Sequence, residues 1–188
     1  MLNIHKIMVV DNEHLYGPGK RILLYLQGCS IHCEGCVNQH LWPFSGGTKY
    51  ETIDLIKLCN EEGATGFTIH GGEPLDQAEG LLPLLNEAKR NNLSTILFTG
   101  YTKKELNNIQ KIVWNHSDLV VAGRFELKKR NVNLQFRGST NQRVYRHKGP
   151  YKHYKIKDGY TTSIITIDKN GETDINGFLT DDIEELIR

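Results

Sequence analysis

Apolar residues occur along the first two thirds of the chain in short runs that alternate with longer amphipathic stretches. The short runs are rich in apolar and β-branched residues and predict five strands, at 4–10, 21–27, 65–72, 94–100 and 118–123. Apolar positions spaced three and four apart predict three helices, at 51–63, 75–92 and 102–115, the last with Thr102 as its N-cap. Strands that alternate with helices predict an α/β fold with a mostly parallel sheet.

The regular alternation ends near Gly123. Residues 161–177 predict a β-hairpin with Asn170-Gly171 as its turn, and residues 180–188 predict a short terminal helix. A length of 188 residues fits one domain. We therefore expect a single domain over 1–188, with a core of about 1–145 and an extension over 124–188 that holds the hairpin and the helix.

Charge is distributed unevenly, although the formal net charge is only +1. The segment 124–157 carries eleven Lys and Arg residues against one acid, Glu126. Such a stretch can dock on an acidic partner, bind phosphates or remain a solvated surface. No recognised nucleic-acid module frames it, so we do not expect a nucleic-acid partner.

No targeting or membrane signal stands out along the chain. The first residues lack the charged start, apolar run and cleavage site of a signal peptide. No apolar run approaches the roughly 18 residues that span a bilayer. We expect a cytoplasmic protein with no membrane partner.

Three of the four cysteines lie in one short loop, as C-x3-C-x2-C at Cys29, Cys33 and Cys36. In a reducing compartment such a group indicates metal binding or catalysis. The spacing alone leaves three alternatives: a zinc site with His40 as fourth ligand, a redox pair of Cys33 and Cys36, and a [4Fe–4S] cluster with one open iron. Cys59 lies on an apolar helix face and is expected in the core.

Three motifs directly follow predicted strands. The cysteine loop follows strand 21–27, Gly71-Gly72-Glu73-Pro74 follows strand residues 65–69, where the paired glycines break the strand, and Thr99-Gly100 follows strand residues 94–98. Because sites in α/β folds form at the carboxyl ends of the strands, we expect these motifs to meet at one edge of the sheet.

Several stretches resemble a known family: GPGKR (17–21), LQGCSIHCEGCVNQHLWPFSGG (26–47), GGEPLDQ (71–77), LFTGYTKKEL (97–106) and FRGSTNQR (136–143). The cysteine spacing together with GGEP resembles the radical S-adenosylmethionine (SAM) enzymes. The cysteine loop and FRGSTNQR are similar, more narrowly, to the branch that activates glycyl-radical enzymes, above all the activases of anaerobic (class III) ribonucleotide reductase.

The resemblance implies a partial (β/α) barrel of radical SAM type and two cofactors, a [4Fe–4S] cluster and SAM. Cys29, Cys33 and Cys36 are then the catalytic cluster ligands. The residues that the resemblance implies for SAM binding are Gly35, Cys36, Val37, Gly71, Gly72, Glu73, Pro74 and Thr99. Among them, Glu73 would accept a charge-assisted hydrogen bond from the SAM ammonium.

The resemblance also implies protein partners: a glycyl-radical enzyme, specifically the large subunit of anaerobic ribonucleotide reductase, and a one-electron donor such as flavodoxin. The residues expected to face a substrate or partner are Arg124, Arg137, Asn141 and Arg143. The family commonly reads Asp-Gly-Pro-Phe where this chain has Ala122-Gly123-Arg124-Phe125. Because of this departure, a radical SAM enzyme that modifies a peptide or small molecule is an alternative function. A zinc-binding interaction module is the alternative of another class.

Overall fold

The computed structural model describes residues 1–147, 149–167, 169 and 173–177. Its main sheet is built from β1 Leu2–Val10, β2 Arg21–Leu26, β3 Thr48–Tyr50, β4 Gly66–Gly71, β5 Ser94–Thr99, β6 Leu119–Ala122 and β7 Arg143–Arg146. The spatial order is β3-β1-β2-β4-β5-β6-β7. The central strands β2, β4, β5 and β6 run parallel, and the outer strands pair antiparallel. The predicted α/β class with a mostly parallel central sheet is confirmed.

The helices of the described part of the chain are α1 Glu13–Tyr16, α2 Thr52–Glu61, α3 Ala78–Arg90 and α4 Asn108–His116. The apolar faces of α2, α3 and α4 share one buried core with the central strands. Leu81, Leu84 and Val113 are fully buried there. Cys59 is also fully buried and packs in the same core, as the sequence predicts.

The prediction of a helix over 102–115 is wrong at its start. The helix α4 begins at Asn108, and Asn107 and Gln110 form a reciprocal capping box with bonds of 2.9 and 3.0 Å. Thr102 is therefore not the N-cap; its N–H and hydroxyl both donate to the carboxylate of Glu105 in a preceding turn. A capping box satisfies two backbone N–H donors at once, those of Asn107 and Gln110 here, which a lone threonine does not.

The basic segment contributes β7 to the main sheet, which the sequence pattern did not predict. This strand pairs antiparallel with β6, with Ala122 opposite Arg143. Farther along, β8 Ser163–Ile167 and β9 Thr173–Gly177 form the predicted antiparallel hairpin. The predicted turn at Asn170-Gly171 and the predicted helix over 180–188 lie outside the described residues. No helix among the described residues has the length and apolar character needed to cross a membrane.

Arg21 joins the starts of the parallel strands, at the end of the sheet away from the cysteine loop. Its fully buried guanidinium donates to the hydroxyls of Thr68 (2.7 Å), Ser94 (2.8 Å) and Tyr151 (2.8 Å), and to the carbonyl of Phe67. Because a buried charge is costly unless it is well hydrogen-bonded, this network fixes the register of β2, β4 and β5.

Candidate active site

The cysteine loop, residues 28–42, begins where β2 ends and is closed by backbone hydrogen bonds. The N–H of Gly28 donates to the carbonyl of Leu41 (2.8 Å), and the N–H of Cys29 donates to that of Trp42 (3.0 Å). Gly28 has a φ of +100°, in the region that favours glycine. These features turn the chain sharply at the carboxyl end of β2 and hold the loop over that edge.

Backbone N–H groups surround two of the thiols. Cys29 accepts hydrogen bonds from the N–H groups of His32 and Ile31, and Cys33 accepts one from the N–H of Phe125. Burial raises the pKa of both thiols, and these donors partly offset that effect. Donors to sulfur stabilise the thiolate, which is the form that ligates metal.

The Gly71-Gly72 pair brings the end of β4 into backbone contact with the cysteine loop. The N–H of Gly72 donates to the carbonyl of Leu26, and the N–H of Glu73 donates to that of Gly28, both at 2.8 Å. A Cβ atom on Gly72 would lie 2.0 Å from the carbonyl oxygen of Gly28. Glycine is required at this position because the chain's own backbone passes there.

The carboxylate of Glu73 is buried and held by the end of β5. Its Oε1 accepts from the hydroxyl of Thr99 (2.7 Å) and the N–H of Leu75 (2.8 Å), and its Oε2 accepts from the N–H of Gly100 (2.8 Å). A carboxylate offers about four lone-pair sites, so acceptor capacity remains on Oε2. Burial raises the pKa of Glu73 to about 7, although these hydrogen bonds lower it in part.

A second polar contact ties the GGEPLDQ stretch to the cysteine loop. The carboxylate of Asp76 accepts from the N–H of Ser30 (2.7 Å), from its hydroxyl (2.9 Å) and from the hydroxyl of Tyr101 (3.0 Å). Three chain segments are thereby joined at the rim of the sheet. The sequence analysis did not name these three residues individually, although each lies in one of the stretches that resemble the family.

The carboxyl ends of the four parallel strands border one cavity of about 180 Å³, the cofactor cavity. Its lining includes these residues from the sequence analysis: Cys29, Cys33, Gly35, Cys36, Val37, Gly71, Gly72, Glu73 and Thr99. The three motifs therefore meet at one edge of the sheet, as expected, and Gly123 adds the end of β6. Pro74 is buried beside the cavity, at the first position of a 3₁₀ helix, and does not line it.

Arg124 and Asn141 lie near the cavity but do not line it. Arg124 pairs with Glu105 at 2.5 Å, and the side-chain amide of Asn141 donates to the carbonyl of Arg124 (2.8 Å). The charge of Arg124 acts on the Cys33 thiol and lowers its pKa, against the larger effect of burial. These contacts fix the segment that follows β6 beside the cysteine loop.

The other two residues expected to face a partner, Arg137 and Arg143, also do not line the cofactor cavity. Arg137 donates two bonds from Nη2 to the carboxylate of Asp158, at 2.6 and 2.7 Å. Arg143 is exposed on β7. The structure therefore does not gather the four residues expected to face a partner into one site.

The donor set of the cofactor cavity fits an iron–sulfur cluster better than zinc. Three thiols line the cavity, whereas His40 does not and packs its ring 5.2 Å from that of His5. No three Cys, His, Asp or Glu side chains of the described residues already surround one point as a metal site. Thiolates are nevertheless the ligands that iron–sulfur clusters take, and the zinc alternative lacks its fourth ligand at this cavity.

Several further residues line the cofactor cavity that the sequence analysis did not single out as site residues. They are Ile31, Asn38, Trp42, His70, Phe98, Gly100, Val121, Gly123, Phe125, Phe136, Gly138 and Gln142. The sequence analysis regarded Arg137, Asn141 and Arg143 as the site residues of FRGSTNQR, but the residues of this stretch that line the cavity are Phe136, Gly138 and Gln142.

Comparison with known proteins identifies the family. Residues 15–145 match the family model of a 4Fe-4S single cluster domain. The anaerobic ribonucleoside-triphosphate reductase-activating protein of Haemophilus influenzae is 33% identical over 141 residues, covering 70% of this chain and 91% of that protein. This chain belongs to the activating-protein family. The activating protein of Vibrio cholerae is 31% identical over 154 residues, covering 77% of this chain and 98% of that protein.

Membership of the activating-protein family confirms a radical SAM enzyme whose cofactors are a [4Fe–4S] cluster and SAM. The family match ends at residue 145, so β8 and β9 lie beyond it. The crystal structure of QueE from Escherichia coli overlaps 53% of this chain and 52% of its own, with a TM-score of 0.43 and 26% identity.

Proposed function

We propose that this chain is the activating enzyme of an anaerobic ribonucleoside-triphosphate reductase and generates a glycyl radical on that partner. One observation carries the proposal: the three thiols of the cysteine loop and the Gly71-Gly72-Glu73 strand end line the same cavity. The sequence relatives are named for the same activity.

Cys29, Cys33 and Cys36 would hold three irons of the cluster and leave the fourth iron for SAM. When bound, the reduced cluster would supply the one electron that cleaves SAM into methionine and a 5′-deoxyadenosyl radical, and transfer of a hydrogen atom from a glycine Cα to that radical would give 5′-deoxyadenosine and the glycyl radical. The N–H donors at Cys29 and Cys33 stabilise the thiolate charge that cluster binding requires.

The residues around Glu73 orient SAM. The remaining acceptor capacity on Glu73 Oε2 receives the SAM ammonium, a charge-assisted contact. That positive charge also favours the ionised carboxylate, against the burial that raises the pKa of Glu73 to about 7. Thr99 positions the carboxylate through its hydroxyl, and Pro74 stiffens the turn.

The backbone at Gly71 and Gly72 would lie against SAM at the strand end, and the backbone at Gly35 and Val37 would contact its adenine. Gly35 has a φ of +72°, and a Cβ there would lie 3.0 Å from Leu127, so the loop is held close against the 3₁₀ helix Leu127–Lys129. This support keeps the adenine contacts in place.

The surroundings of the site complete the proposal. The chain forms a single radical SAM domain whose sheet corresponds to an open, partial barrel, and it acts in the cytoplasm.

A one-electron donor such as flavodoxin reduces the cluster. The partner proteins contact the segment 124–157, including Arg124, Arg137, Asn141 and Arg143, and the excess of positive charge in this segment suits acidic surfaces.

The proposal is tested by electron paramagnetic resonance on an anaerobic mixture of the reconstituted protein, SAM, a reductant and an anaerobic ribonucleoside-triphosphate reductase from the same organism. A doublet from a glycyl radical is expected, and it should be absent when SAM is omitted. A protein that cleaves SAM but never produces the doublet would overturn the proposal. A preparation with about one zinc and neither iron nor sulfide would overturn the assignment of the protein as an iron–sulfur enzyme.

A further inference from the structure

The bend at residues 30–32, directly after Cys29, carries the backbone N–H groups that reach the Cys29 sulfur. The N–H groups of His32 and Ile31 both donate to that sulfur. His32 has a φ of +51°, which few residues other than glycine adopt. Backbone in such a conformation persists where its surroundings restrain it, so the contacts around the bend determine how firmly the two donors stay on the sulfur.

Apolar contacts restrain the middle and the far end of the bend. The side chain of Ile31 lies against the end of β5, since a Cβ atom on Gly100 would be only 2.7 Å from its Cδ1. The ring of His32 stacks on Trp42 with the ring centres 4.6 Å apart. The first residue of the bend, Ser30, is exposed and has no such packing, so it depends on polar contacts.

The carboxylate of Asp76 supplies those contacts. Its Oδ2 accepts from the N–H of Ser30 at 2.7 Å, and its Oδ1 accepts from the hydroxyls of Ser30 (2.9 Å) and Tyr101 (3.0 Å). The two hydroxyls also lie 2.9 Å apart. Hydrogen bonds to a charged acceptor are the stronger ones. Asp76 is itself fixed in the 3₁₀ helix Pro74–Gln77, whose first two residues are buried, so the bend is anchored to a rigid element.

The negative charge of Asp76 also acts on Cys29. The carboxylate lies against the backbone of Ser30, the residue bonded to Cys29. Burial is the main cause of the raised pKa of the Cys29 thiol, and the charges of Glu73 and Asp76 add to it. Asp76 does not line the cofactor cavity, so it acts on the site through its neighbours. Net charge and hydrogen bonds to the sulfurs are two of the factors that set the potential of an iron–sulfur cluster.

We propose that Asp76 is a positioning residue for Cys29: its carboxylate holds the bend 30–32 so that the N–H donors stay on the sulfur, and its negative charge lowers the reduction potential of the cluster that Cys29 ligates. The inference rests on the proposed function, in which Cys29 is a cluster ligand, and adds a residue that acts on this ligand from outside the cavity. A lower reduction potential increases the driving force for passing the electron on to SAM.

The first test separates the hydrogen bonds of Asp76 from its charge. Asp76→Ala removes both, whereas Asp76→Asn keeps a side-chain oxygen that accepts from the Ser30 N–H. Asp54→Ala, at an exposed position of α2, is the matched control. Hydrogen exchange of the peptide that contains residues 30–32 is measured by mass spectrometry on the reconstituted protein. We expect exchange there to be about fivefold faster in Asp76→Ala, as for the loss of one hydrogen bond, and close to the wild-type rate in Asp76→Asn.

Iron content and iron release to a chelator, measured on the same samples, complete this test. Release should be fastest in Asp76→Ala and close to the wild-type rate in Asp76→Asn and Asp54→Ala. If Asp76→Ala takes up too little iron for exchange to be measured, recovery of the iron in Asp76→Asn is the expected result. Exchange and iron release in Asp76→Ala equal to those of Asp54→Ala would overturn the positioning role, and so would equally low iron in Asp76→Ala and Asp76→Asn.

The second test measures the effect of the charge on the reduction potential, which a purely structural role of Asp76 would leave unchanged. Asp76→Asn and Asp54→Asn each remove one negative charge, but only the first removes it beside the cysteine loop. Potentials are determined by anaerobic redox titration of the reconstituted proteins without SAM, followed by electron paramagnetic resonance of the reduced cluster. We expect Asp76→Asn to raise the equilibrium constant for reduction about threefold, or roughly 28 mV for a one-electron couple, and Asp54→Asn to leave it unchanged. Equal potentials in the two variants would overturn the electrostatic role.

These readouts separate the inference from the proposed function, because none of them requires the reductase. If the variants behave as expected and no glycyl radical forms on the reductase, the inference stands and the proposed function does not. If the radical forms while the Asp76 variants match the Asp54 variants, the proposed function stands and Asp76 has neither role.

Discussion

The hydroxyl of Thr99 donates a 2.7 Å hydrogen bond to Oε1 of Glu73 and joins the ends of β5 and β4 at the buried side of the cofactor cavity. Thr99→Val removes this bond with almost no change of shape. We expect a loss of about 1–3 kcal/mol in the free energy of unfolding, because a buried acceptor loses a partner, and weaker SAM binding. Urea unfolding and SAM titration measure these effects, with the exposed Thr48→Val as control. A Thr99→Val variant as stable as Thr48→Val would contradict the role of the bond.

The raised pKa of Glu73 predicts a pH dependence of stability. The folded protein holds this proton up to a pKa of about 7, against an ordinary value of 4.5. The folded state therefore binds more protons between those values, so the contribution of Glu73 to stability declines as pH rises through that window and is flat above it.

Glu73→Gln removes the titration and serves as the comparison. We expect the unfolding free energy of the wild type minus that of Glu73→Gln, measured in urea on cluster-free protein, to decline from about pH 5 to about pH 8. A difference that is constant over this range would show that the carboxyl titrates as it does in the unfolded chain.

Substitution of the cysteines distinguishes cluster ligands from the core thiol. Cys29→Ala, Cys33→Ala and Cys36→Ala each leave one iron without its thiolate, and each should abolish SAM cleavage and lower iron content. Cys59→Ala is the matched control, because Cys59 is fully buried among core residues and is absent from the lining of the cofactor cavity. Iron and sulfide analysis after anaerobic reconstitution decides the assignment. An equal loss of iron in Cys59→Ala would show that the ligands are misassigned.

Gly72 provides a test of the backbone contact between β4 and the cysteine loop. In Gly72→Ala the new Cβ would lie 2.0 Å from the carbonyl of Gly28, so the two segments must separate. We expect a loss of more than about 2 kcal/mol in stability together with reduced cluster occupancy. Gly46→Ala adds the same methyl group in open space at a φ of +89° and should cost only about 1 kcal/mol with the cluster retained. Equal effects of the two substitutions would contradict the close-approach explanation.

Local sequence signals accounted for most of the central sheet and for the position of the site. The runs that became β2, β4, β5 and β6 are strongly apolar because both faces of a parallel sheet are covered. Turn glycines directly after these runs placed the cysteine loop, Gly71-Gly72 and Thr99-Gly100 at one edge.

What the sequence did not reveal depends on partners distant along the chain. The strand β7 lies in a run of cationic residues and is only half buried, so its pairing with β6 leaves a weak local pattern. In the sequence, Thr102 resembles an N-cap. In the structure it donates to Glu105 in a turn that precedes the helix, and Asn107 is the N-cap. The contact of Asp76 with Ser30 and Tyr101 arises only when separate segments of the chain meet.

The most direct test of the central claim is the fate of the hydrogen atom. The reductase is labelled with glycine deuterated at Cα and mixed anaerobically with this protein, SAM and reductant, and the 5′-deoxyadenosine formed is analysed by mass spectrometry. The account predicts deuterium in the 5′-deoxyadenosine together with a glycyl-radical signal that collapses from a doublet to a singlet. Unlabelled 5′-deoxyadenosine, formed beside a reductase that carries no radical, would contradict it.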